Sequence, residues 1–229
     1  MKSSNWFNKN YLKRLPLPFI LLLTAFVAVL FVFGLIINEV LLEREAAVDN
    51  YIFSFLSAHM INPHLTNFMI AVTYFASAVF LPIAYMGVLL LYIFMKNYIR
   101  VIEISVIGIG GFMITYFMKL TFHRIRPPDP LIEPLQSFSF PSGHATSGFI
   151  YYGLLAYLIW KTTIPKQYKY LAAVILILFS ILIGFSRIYL RVHYASDVVA
   201  GFCVGFAWLS LTIWLLERLK KGPDMKLPA

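Results

Sequence analysis

The chain has 229 residues, of which 60% are hydrophobic and only 13% charged, with a formal net charge of +9 at pH 7 and a mean hydropathy of +0.79. A soluble domain of this size carries about a quarter charged residues, so a water-soluble globular enzyme is excluded. The positive balance does not mark a nucleic-acid binder either, because most Lys and Arg residues lie in short segments between apolar runs rather than along one solvated face.

A bilayer core about 30 Å thick is crossed by roughly 20 apolar helical residues. The first such run, 17–40, follows Lys2, Lys9, Lys13 and Arg14. A signal peptide would have an apolar region of about 7–15 residues and a small-residue cleavage site; here the run is longer and Glu39, Glu43 and Glu45 follow, so an uncleaved anchor is expected. Segment 41–65 is mixed, with Val48, Ile52, Phe55, Leu56 and Met60 at helical spacing, the pattern of a short interfacial amphipathic helix. Run 66–95 is too long for a perpendicular crossing and calls for tilt or a bend near Pro82. Runs 101–120, 145–160, 170–185 and 198–216 complete six spans. Cys203, the single cysteine, lies inside the last of them, which leaves no intrachain disulfide framework and no thiolate metal cluster. With no internal repeat or linker, residues 1–229 are expected to form one all-α polytopic domain.

The basic residues set the direction. With the N-terminus inside, inner segments hold Lys2, Lys9, Lys13 and Arg14, then Lys96 and Arg100, then Lys161, Lys166 and Lys169, then Arg218, Lys220, Lys221 and Lys226. Outer segments hold only Arg44, Lys119, Arg124, Arg126, Arg187 and Arg191, an asymmetry that follows the positive-inside rule and puts both termini in the cytoplasm. Except for Arg44, every outer cation falls in two short stretches, where the same rule expects few.

Three stretches converge on that outer side. "KLTFHRIRPP" (119–128) places a Lys at a helix end, two Arg residues and two prolines that stop the helix. "PSGH" (141–144) opens a span, and "SRIYLRVHYASD" (186–197) puts His193 four residues before Asp197. A boundary Lys or Arg is ordinarily a snorkelling anchor, a Pro or Ser an ordinary helix start, and a His four residues from an Asp an ordinary surface pair. Together they fit an anionic ligand better. Lys119, Arg126 and Arg187 would neutralise a phosphate dianion, and a helix opening at Ser142 and Gly143 would offer it backbone N–H groups beside His144. A carboxylate holding the Nδ1 proton of His193 would leave Nε2 free to attack, and a second histidine would protonate the leaving oxygen and then activate water.

These residues resemble the type 2 phosphatidic acid phosphatase superfamily of integral membrane lipid phosphatases. Its signature is a Lys, six residues and Arg-Pro; then Pro-Ser-Gly-His; then Ser-Arg, five residues, His, three residues and Asp. Lys119 to Pro127, Pro141 to His144, and Ser186 to Asp197 match it with every spacing intact, over about 80 residues. The resemblance implies His193 as the nucleophile forming a phosphohistidine, Asp197 as its orienting partner and His144 as general acid and then base. Lys119, Arg126, Arg187, Ser142 and Gly143 would bind the phosphate, with no metal and no other cofactor. His123, Arg124, Tyr189 and Arg191 lie outside the signature, placed to shape the pocket, with His123 a boundary residue.

Vanadium haloperoxidases resemble the same signature but are soluble, which six apolar spans oppose. A lipid phosphotransferase would use the same site, and a non-catalytic transporter or sensor of anionic lipids would need the cations but neither histidine. The expected substrate is a phosphate on a membrane lipid: phosphatidylglycerophosphate, phosphatidic acid or undecaprenyl pyrophosphate. The expected setting is a bacterial inner membrane, with the site facing the periplasm or exterior.

Overall fold

A computed structural model describes residues 17–42 and 46–220. The basic N-terminal stretch with Lys2, Lys9, Lys13 and Arg14, the segment with Glu43, Arg44 and Glu45, and the tail with Lys221 and Lys226 lie outside the described residues.

The described residues form an all-helical fold without strands. Eight α-helices follow one another: α1 (Leu17–Ile36), which continues into a wider π-type turn (Ile37–Leu42), α2 (Ala47–His59), α3 (Pro63–Tyr74), α4 (Phe80–Phe94), α5 (Tyr98–Phe122), α6 (Gly143–Trp160), α7 (Lys166–Tyr189) and α8 (Ala195–Leu219). Among the described residues, four stretches are long and apolar enough to cross a membrane: Phe19–Val40, Tyr98–Phe122, Lys166–Tyr189 and Ala195–Leu219.

The expected run 66–95 is two helices. The chain leaves α3 after Tyr74 and re-enters α4 at Phe80, where Ser77 Oγ accepts the Phe80 N–H at 3.0 Å. Pro82 is therefore not the bend. It sits in the first turn of α4, where a missing N–H costs nothing because the first four N–H groups of a helix have no partner within it.

Helix α6 is the axis, packing on α5, α7 and α8. Its Ile150 and Leu154 join Ile104 and Ile107 of α5 and Leu209 of α8 in one apolar cluster. On its other side Tyr151 and Tyr152 pack with Val72, Leu81 and Ile183. Because protein surrounds it, α6 tolerates Thr146, Ser147 and several tyrosines, and it is not among the four long apolar segments. Gly201 lets α8 close on the start of α6: a Cβ there would stand 2.9 Å from the Ser142 carbonyl oxygen.

Helix α2 packs against α7 and α8. Its buried residues are Asp49 and Leu56, while Val48 and Phe55 of the expected apolar stripe face outward. The inward stripe thus begins with a carboxylate in the first turn, for a reason that lies in the site.

Candidate active site

Four helix ends meet at one end of the bundle: the C-termini of α5 and α7 and the N-termini of α6 and α8. The α5 helix ends at His123, whose left-handed backbone (φ 48°) turns the chain into loop 123–142 while its N–H still reaches the Lys119 carbonyl. Ser142 then caps α6, its Oγ accepting from Ala145 N at 3.5 Å. At the end of α7, His193 N–H donates to the Arg187 carbonyl at 3.3 Å, so one turn holds both signature residues.

His193 stands just outside α8, and Asp197 is inside its first turn. The carboxylate does two jobs. Its Oδ2 accepts the Tyr194 backbone N–H at 3.0 Å, as an N-terminal acidic residue does in a capping box, and faces His193 Nδ1 at 3.3 Å. Ser139 Oγ donates to the same oxygen. On the other edge of the ring, Arg126 Nη1 lies 3.1 Å from His193 Nε2. A guanidinium only donates, so Nε2 accepts and the ring proton sits on Nδ1, toward Asp197. Burial drives the His193 pKa down from 6.5 to about 3, assisted by Arg126 and Arg187 and opposed by Asp197, so the ring is neutral at physiological pH.

The cations of the cradle are held by neutral groups. Lys119 Nζ donates to the Phe138 carbonyl at 2.5 Å. Arg126 is fixed by the carbonyls of Ser137 (2.6 Å) and Val192 (2.7 Å) and by Ser137 Oγ (2.9 Å). Arg187, only 2% exposed, donates from Nη1 to Thr73 Oγ1 at 2.7 Å, while its buried Nε meets no acceptor among the described residues. Three cations without a carboxylate within ion-pair distance among the described residues, one with an unsatisfied donor, are arranged to receive an anion.

A cavity of about 640 Å³ opens from this cradle. Lys119, Arg126, Gly143, His144 and His193 line its polar end, and Leu81, Tyr85, Ile104, Gly108, Phe112 and Thr115 carry it along α4 and α5. Lining positions on α5 run from Ile104 to Lys119, about 22 Å at 1.5 Å per residue. Ser142, Arg187 and Asp197 stand behind this lining.

The four neighbours outside the signature do not line the cavity. Tyr189 Oη is shared with Asn62 N (3.2 Å) and Thr66 Oγ1 (3.1 Å), which ties α7 to α3. Arg191 donates to Ser57 Oγ of α2, and His123 packs edge-on against Phe138. Arg124 reaches Asp197 Oδ1 at 2.5 Å from behind, and its other nitrogen meets Asp49 Oδ2 at 3.0 Å. Sequence reasoning passed over Asp49, Thr73 and Ser139, and no spacing signal marks them: each reaches the site from another element.

The model of the PAP2 superfamily matches residues 78–221. The chain belongs to this superfamily. It is 28% identical to a phosphatidylglycerophosphatase B of Bacillus subtilis over 161 residues, 69% of this chain and 79% of that protein. It is 32% identical to an undecaprenyl-diphosphatase of Sulfolobus acidocaldarius over 115 residues, 48% of this chain and half of the archaeal one. Its fold matches the crystal structure of a transmembrane PAP2-type phosphatidylglycerolphosphate phosphatase from Bacillus subtilis with a TM-score of 0.75 at 24% identity, covering 86% of this chain and 98% of that one. The protein is therefore a membrane protein of a lipid phosphatase family.

Proposed function

We propose that the protein hydrolyses a phosphomonoester or pyrophosphate on a membrane lipid through a phosphohistidine intermediate, without a metal. The observation that carries this reading is His193, with its proton held toward Asp197 and its unprotonated Nε2 turned into a cradle of three cations. Nε2 attacks phosphorus as the bond to the leaving oxygen breaks, and His144 gives that oxygen its proton. His144 then takes a proton from water, which attacks phosphorus, and His193 is released with phosphate. Lys119, Arg126, Arg187 and the N–H of Gly143 hold the non-bridging oxygens, the positioning and charge stabilisation on which phosphoryl transfer depends; the Ser142 N–H, expected to join them, instead donates to the Asp197 carbonyl at 3.0 Å and ties the start of α6 to α8.

The largely apolar cavity leading from the cradle supports an amphiphile entering sideways, its phosphate at Lys119 and its chain along α4 and α5. Phosphatidylglycerophosphate, phosphatidic acid and undecaprenyl pyrophosphate all fit that description. The domain crosses the membrane six times, through α1, α3 with α4, α5, α6, α7 and α8, and α2 lies in the interface. Lys96, Arg100, Lys161, Lys166, Lys169, Arg218 and Lys220 belong to the end away from the cradle, so both termini are cytoplasmic and the site faces outward. The inner membrane of a bacterium is the setting this supports.

The test is phosphate release by purified protein in detergent with excess chelator on those three lipids, wild type beside His193→Ala. Release by wild type alone supports the reading. Release needing added metal removes the metal-free mechanism, and equal release by His193→Ala removes the nucleophile.

A further inference from the structure

Asp197 is fully buried and Arg124 is its ion-pair partner. A permanent cation at 2.5 Å is a difficulty for the reaction proposed above, on which this inference rests. The histidine ring becomes cationic when its Nε2 takes up phosphorus, and a carboxylate already neutralised by Arg124 would do little for that charge. Asp49 resolves the difficulty. Its carboxylate, 3% exposed, contacts the far side of the same guanidinium at 3.0 Å. It is held in place by Ser196, whose N–H donates to Oδ1 at 3.0 Å and whose Oγ donates to Oδ2 at 2.5 Å. The Arg124 guanidinium also lies 4.1 Å from the centre of the Tyr194 ring, which fixes its plane.

We infer that Asp49 of α2 and Arg124 are positioning residues that keep one net negative charge behind His193: Arg124 orients the Asp197 carboxylate, and Asp49 cancels the charge that Arg124 brings. Two carboxylates around one guanidinium sum to −1, and the hydrogen-bonded edge of the imidazole faces the unshared part. This explains why the inward stripe of an otherwise apolar-faced helix begins with an acid. It also makes the seating of α2 against α8 a condition for turnover.

Charge and shape can be separated at Asp49. Asp49→Asn keeps the shape and removes the charge; Asp49→Glu keeps the charge and disturbs the shape. On phosphatidylglycerophosphate in detergent, with wild type active and His193→Ala inactive as the check on the reaction itself, Asp49→Asn is expected to lower kcat by about 10- to 100-fold. KM should stay within about twofold, and Asp49→Glu should stay within about fivefold of wild-type kcat. Arg124→Gln combined with Asp49→Asn returns the site to −1 and is expected to exceed Asp49→Asn alone. A merely structural contact would give the reverse ranking, Asn above Glu, and a double variant no faster than Asp49→Asn alone. Either result overturns the inference. Should Asp49→Asn not fold, Asp49→Glu and the double variant carry the test: both within about tenfold of wild-type kcat supports it, and a loss beyond about 100-fold in either overturns it. Inactive wild type on every lipid would instead remove the reading beneath.

Discussion

At the end of the bundle away from the cradle, Arg100, Lys161 and Lys220 meet carboxylates. Arg100 pairs with Glu103 at 2.5 Å, Lys161 with Glu217 at 2.7 Å, and Lys220 with Glu103. Tyr157 Oη joins the pairs, accepting from Arg100 at 2.9 Å and donating to Glu217 at 2.6 Å, so α5, α6 and α8 are tied together. At the cradle, among the described residues, Lys119, Arg126 and Arg187 meet only carbonyls, hydroxyls and a ring nitrogen. One cluster is closed on itself and serves the fold. The other leaves its cations unbalanced, which costs folding free energy that a bound anion offsets. The difference teaches how to tell the two uses of buried charge: by what the cations touch, not by how many there are.

The comparison is sharpest for turnover. His193→Ala removes the proposed nucleophile and is expected to lower kcat at least about a thousandfold, whereas Glu217→Gln at the other end should change it less than about twofold. Phosphate release under identical conditions reads both. A second pair of variants makes the same exchange at each end. Arg187→Lys loses the planar fork and the buried Nε donor, and kcat/KM should fall about 100-fold, since Lys and Arg are not equivalent where an oxyanion is gripped. Arg100→Lys keeps its charge beside Glu103 and should leave kcat/KM within about twofold. Equal losses at the two ends would break the distinction.

Stability should invert the ranking. Glu103 is 1% exposed between the partly exposed Arg100 and Lys220, and Glu103→Gln leaves both cations short of their partner. Losing the buried member of such a partly exposed network costs about 1 to 2 kcal/mol, between the values for exposed and buried pairs, so Tm in detergent should drop by a few degrees while kcat at low temperature is retained. An unchanged Tm would mean that the closed cluster does not hold the helices together.

How much of this the sequence carried depended on how each feature is encoded. The signature residues Lys119, Arg126, His144, His193 and Asp197 were legible because their chemistry is written in residue type and spacing, and the fold brings them to one end. The break between α3 and α4 was not, because "FASAV" holds neither Pro nor Gly and the obvious breaker, Pro82, is at home in a first turn. The inward face of α2 was misjudged because apolar periodicity gave Val48 and Phe55 weight and Asp49 none. Asp49 is buried by partners 75 and 147 positions away, a distance at which no local pattern reports a contact. The long apolar segments declared themselves; α6 was harder, since a helix wrapped in protein need not be as apolar as one wrapped in lipid.

The smallest expected effect concerns pH and again divides the two ends. His193 has a folded pKa of about 3 against 6.5 when free. Between those values the unfolded chain binds a proton that the folded site refuses, so its contribution to stability is complete above about pH 6.5 and is lost as pH falls toward 3. The slope approaches about 1.4 kcal/mol per pH unit for one such group. The protonation of carboxylates elsewhere adds its own slope, but that slope is common to wild type and His193→Gln. Unfolding midpoints measured from pH 7 to pH 4.5 should therefore converge, wild type losing stability faster than the variant as the medium is acidified. Parallel curves would mean that His193 takes up its proton in the folded site as readily as in water, and the neutral, acceptor-ready Nε2 on which its proposed role as a nucleophile depends would be lost.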